Sequence, residues 1–100
     1  MDHKPYEVTV TVKAKAGMEQ RLRDIVRNLV APSRAEDGCI NYYMHEANED
    51  PGRFIVYMTW RDRAAFDKHV QSSHIQAFEK IAPEILAEPA PELYWHLLEK

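Results

Sequence analysis

The sequence predicts an α+β chain in which one four-stranded antiparallel sheet carries its helices on a single face. Three observations predict it. Four segments alternate apolar and polar residues with period two, two longer segments repeat with helical period, and their order is β-α-β-β-α-β. Two right-handed split crossovers then put both helices on the same side of the sheet, a ferredoxin-like sandwich.

The first strand is Glu7 to Lys13, with Val8, Val10 and Val12 on one face and Thr9 and Thr11 on the other. Gly17 breaks it, and Met18 to Val30 switches to helical period. Met18, Leu22, Ile25, Val26, Leu29 and Val30 form one apolar stripe, while the charged and amide residues fall off it. Glu19 in the first turn suits the positive end of the helix dipole, and Pro32 should end or kink the helix. After the Asp37-Gly38 turn, Cys39 to Glu46 reads as a strand that places Ile40, Tyr42 and Met44 on one face. Asn48 to Gly52 is a hairpin connection. Phe54 to Trp60 is apolar on both faces, so it should be central in the sheet. Asp62 is placed to cap the following helix, whose inner stripe is Ala65, Phe66, His69 and Val70. Ser72-Ser73 interrupts, with one serine expected to cap a second helical piece that begins at His74 and is disturbed by Pro83. Pro89 and Pro91 make an extended linker, and Leu93 to Leu98 alternates as the fourth strand. The outer sheet face, with Tyr43, Ile55 and Tyr57, is too apolar to face water in a monomer, and a face-to-face homodimer would cover it.

Composition bounds the function classes. One hundred residues make a single domain over 1–100, with 45% apolar and 29% charged residues as in ordinary globular chains. The net charge of −3 comes without a basic stripe, which argues against nucleic acid as a partner. Cys39 is the one cysteine, so neither an internal disulfide nor a CxxC site is available. The first ten residues hold no signal-type apolar region, and no run approaches the ~20 apolar residues of a membrane span, so a cytoplasmic protein is expected.

Candidate chemistry concentrates between Phe54 and Phe78. His69 and His74 are five apart across a break, not the i, i+4 pair of a helical zinc site, and HExxH is absent; no metal is expected. The phosphate loops and the GxSxG elbow are absent too. What remains is an apolar pocket between sheet and helices. Val10, Ile40, Tyr42, Val56, Met58 and Trp60 would line it from the sheet, and Leu22, Phe66, His69 and His74 from the helices. Such a pocket suits a flat hydrophobic or aromatic molecule with a polar tip, and histidine is its natural proton acceptor. Each candidate also has a plainer reading. Trp60 fills core, His69 is a satisfied interior histidine, and His74 donates to backbone at a helix start.

The stretch SRAEDGCINYYMHEANEDPGRFIVYMTWRDRAAFDKHVQSSHIQAF resembles the antibiotic biosynthesis monooxygenase family. The resemblance is most specific at Asp37-Gly38-Cys39 with Tyr42, at the strand end in Trp60, and at the helix pair with His69 and His74. It implies a dimeric α+β barrel of two ferredoxin-like units. It also implies, for the best-known members, oxygenation of quinols or related phenolics with O₂ and no metal, flavin or haem cofactor. Carried over, Trp60 would position the ring, and His69 or His74 would be base or proton shuttle. The chain departs from the family pattern at Met58, where members usually carry glutamate. The histidine and asparagine of the haem-degrading branch fall at Glu79 and Val10, which sets haem chemistry aside. Two other functions stay open from the residues: a homodimeric binding protein without turnover, and an isomerase of a small oxo-phosphate using Arg34 or Arg61.

Overall fold

The computed structural model describes residues 4–98. The chain runs β1 (Tyr6–Lys13), α1 (Glu19–Asn28), α2 (Val30–Arg34), β2 (Cys39–Glu46), β3 (Arg53–Trp60), α3 (Arg63–Gln71), α4 (Ser73–Ile85) and β4 (Glu92–Trp95). The strands lie in the order β2-β3-β1-β4 with every neighbouring pair antiparallel. This is the expected ferredoxin-like α+β fold, with β1 and β3 central.

Register decides which side chains point inward. Val8 opposes Met58, Val10 opposes Val56 and Val12 opposes Phe54, while Tyr42 and Met44 oppose Met58 and Val56 from the other side. These share the face that the helices cover. Two buried clusters result, one around Val8, Tyr42, Met58, Trp60 and Phe66, the other around Val12, Leu22, Val26, Phe54 and Ile85. The outer face leaves Tyr43, Ile55, Leu93 and Trp95 about half exposed. Among the described residues, no helix is long and apolar enough to cross a membrane.

Four sequence-level expectations are corrected. The first helix is two pieces joined at Leu29, and Pro32 sits in the first turn of α2, where its missing N–H costs no intrahelical bond. Ile40 does not share the face of Tyr42. A bulge between Cys39 and Asn41 leaves it unpaired, and it is 54% exposed. The last strand stops at Trp95, short of Leu98. Trp95 already pairs with Glu7, and Pro5, just beyond Tyr6, has no N–H to extend the ladder. Ser72 does occupy the N-cap position of α4, but its hydroxyl donates back to the carbonyl of His69 at 2.6 Å and does not cap.

Candidate active site

Three local devices bring the polar groups together. Asp62 caps α3, its carboxylate accepting from the N–H of Ala65 at 2.8 Å, which fixes where the helix starts and therefore where its last turn ends. At Ser72 the backbone leaves helix for an extended conformation before α4 begins. In one straight helix, residues 69 and 74 would point about 140° apart. The bend instead turns both rings to the same spot, with centroids 6.0 Å apart. The third device is the turn ahead of β2. Gly38 has φ +89, and a Cβ there would lie 2.6 Å from that of Ala65. Its carbonyl accepts from the N–H of Arg61 at 2.7 Å. The turn is thus pressed onto the start of α3, and Glu36 reaches the histidines.

Glu36 is the centre of the cluster. One carboxylate oxygen lies 2.7 Å from Nδ1 of His69 and 2.8 Å from Nε2 of His74. Hydrogen bonding to a carboxylate assigns the proton on each of those nitrogens to the ring, so both imidazoles donate. His69 is 2% exposed, with its ring tilted over Trp60 at 4.6 Å between centroids and Tyr42 at its edge. Burial pushes its pKa down, against the opposing pull of Glu36. Burial pushes the Tyr42 phenol up to about 12, so it stays protonated. The ligand atoms of Glu36, His69 and His74 all lie within 4.8 Å of one another, a set that could hold a metal ion. The spacing argument against convergence of the two histidines therefore fails, because it neglects the bend.

A cavity of about 590 Å³ lies between the sheet and the helices. Of the residues singled out in the sequence, Val10, Tyr42, Val56, Met58, Phe66 and His69 line it. Trp60 and Leu22 do not. Both are fully buried, Trp60 beneath His69 with its indole N–H on the sulfur of Met58 at 3.3 Å, and Leu22 in the second cluster. His74 and Ile40 are also absent from the wall. Sequence reading missed Ile75 and Phe78 of α4 in the lining, and it missed three acids there, Glu79, Glu88 and Glu92. It also missed Glu36, for which nothing in the local pattern gives a signal.

The chain as a whole is similar to known proteins. A family model described as antibiotic biosynthesis monooxygenase matches residues 5–81. The uncharacterized protein sll1783 of Synechocystis is 33% identical over 86 residues, covering 86% of this chain but 58% of that protein. The chain thus spans little more than half the length of that relative. Rv0793 of Mycobacterium tuberculosis, designated a candidate monooxygenase, is 29% identical over 85% of this chain and 83% of its own length. The crystal structure of PA3566 from Pseudomonas aeruginosa superposes with a TM-score of 0.91 at 31% identity, covering 96% of each chain.

Proposed function

This chain belongs to the antibiotic biosynthesis monooxygenase family, and on that premise we propose that it oxygenates a quinol or related phenolic in its apolar cavity, using O₂ and no cofactor. One observation carries the reading. His69 lines the cavity while its Nδ1 is committed to Glu36, so Nε2 is the ring atom left to meet a bound molecule. A carboxylate holding one imidazole nitrogen fixes the tautomer in which the other is a proton acceptor.

In the proposed reaction Nε2 takes a phenolic proton. The electron-rich phenolate gives one electron to O₂, and the resulting phenoxyl radical and superoxide join through a new C–O bond. The peroxide takes back the proton from His69. Loss of the hydrogen on the same carbon, with O–O cleavage, releases water and leaves a carbonyl. Quinol and O₂ thus become hydroxyquinone and water. In this reading the Tyr42 phenol, held protonated, donates to negative charge on oxygen. His74 steadies Glu36, and Trp60 supports the His69 ring from beneath; neither touches the substrate in this reading. Two copies would pair through the half-exposed outer sheet face.

The test is oxygen uptake with a panel of hydroquinones. Uptake that requires both imidazoles supports the reading. Uptake no faster than that of the His69→Ala, His74→Ala double variant refutes it. Met58 favours a second reading, retention of a ligand without turnover, since its sulfur is occupied by the Trp60 indole and moves no proton. Recovery of unchanged ligand after long aerobic incubation would establish that alternative. An oxo-phosphate substrate fits poorly, because the charged residues on the cavity wall beside His69 are the acids Glu79, Glu88 and Glu92.

A further inference from the structure

We propose that Glu36, His69 and His74 together bind a divalent first-row transition cation, for which zinc is the simplest probe. The donors are of the right kind: two imidazole nitrogens and one carboxylate oxygen. They come from three places, the loop ahead of β2, the last turn of α3 and the first turn of α4. Both rings already aim a nitrogen at the same oxygen, at 2.7 and 2.8 Å.

The fit requires a modest rearrangement: the ligand atoms now lie within 4.8 Å of one another, with the carboxylate oxygen close to each ring nitrogen and the two nitrogens further apart. Zinc bonded at about 2.1 Å in tetrahedral geometry keeps its ligands roughly 3.4 Å apart. Glu36 must therefore withdraw from each ring by roughly 0.6 Å. It sits outside the helices and strands on a side chain with three rotatable bonds, so that motion disturbs no ladder. His69 is wedged on Trp60, so the approach of the two ring nitrogens falls to the partly exposed His74 side chain at the start of α4. The side chains of Glu36 and His74 are 16% and 20% exposed, which leaves an approach from solvent and room for water as a remaining ligand. Ser72 Oγ, 3.3 Å from the His74 nitrogen, is a further oxygen beside the site.

The proposal does not depend on the oxygenase reading, yet it bears on it. Coordination takes the lone pair of His69 Nδ1, so the ring proton moves to Nε2. The cavity nitrogen then changes from acceptor to donor, and a bound ion blocks the base role.

The experiment titrates the chelator-treated, dialysed full chain with Zn²⁺ by calorimetry and with Co²⁺ by visible absorption. The expected result is one ion per chain and ligand-field bands of a low-coordinate N/O site. Binding should be at least tenfold weaker in Glu36→Gln and in His74→Asn, each checked for retained fold by circular dichroism. Imidazole ¹⁵N spectra of the unaltered protein give a readout that needs no variant, a metal-induced shift at His69 Nδ1. Binding no tighter than millimolar overturns the proposal. So does binding that survives both substitutions with the His69 Nδ1 signal unmoved, which would place the ion on other histidines.

Discussion

The two ends of the interior differ in material. At one end, Val12, Ala14, Leu22, Val26, Phe54 and Ile85 are buried with no polar side chain among them. At the other, Val8, Met58, Phe66 and Trp60 surround Tyr42 and the buried imidazole of His69. The aliphatic end clamps α1 and α4 to the sheet through removal of apolar surface from water, a force without direction. The aromatic end uses the same burial to hold polar groups at fixed angles. Stability should therefore respond most to substitutions at the first end, and chemistry to those at the second.

The sharpest way to break that contrast is at His69. Its replacement by alanine should lower kcat for quinol oxidation about 10²- to 10⁴-fold, the usual worth of a positioned base. An unchanged rate in a folded variant would show that the aromatic end is mere filler. Next in size, Leu22→Ala should cost about 2–5 kcal/mol in urea denaturation without a comparable fall in kcat, because the cavity it leaves lies at the aliphatic end. Asp62→Ala removes the cap of α3 and should cost about 1 kcal/mol. It should also raise the dissociation constant of a bound phenolic, since the helix start sets the place of His69. The smallest effect is at the surface. Glu46 accepts from Arg23 at 2.8 Å, and hydrogen bonds from that guanidinium lower its pKa to about 2. A depressed carboxylate pKa gives stability that is fully present above the ordinary value near 4.5 and is lost as pH falls through about 2. Arg23→Gln should flatten this acid limb in a pH series of thermal midpoints, leaving the neutral-pH rate of quinol oxidation unchanged.

Much of the fold was legible because it is written in local period. Val8, Val10 and Val12 alternate, and Leu22 and Val26 sit one turn apart, so faces and partners followed. Asp62 was legible as a cap for the same reason. The bulge at Ile40 was not, since an extra residue in a strand leaves the alternation of its letters intact. The site was half legible. His69 falls on an inner stripe that periodicity reveals, but the turn of His74 towards it depends on one backbone angle at Ser72. Glu36 meets rings 33 and 38 residues further along the chain, a pairing made by tertiary packing alone.

Gly38 shows how far such a pairing reaches. The position has no functional group, yet any larger residue would wedge the loop away from Ala65. The carboxylate would then drift off both rings with every reactive atom still chemically intact. A random-mutagenesis screen should therefore score residue 38 among the dead positions, and a reader of that screen would be mistaken to place it beside the substrate. Its contribution is that of a hinge pin: it bears no load in the reaction and sets where the parts meet.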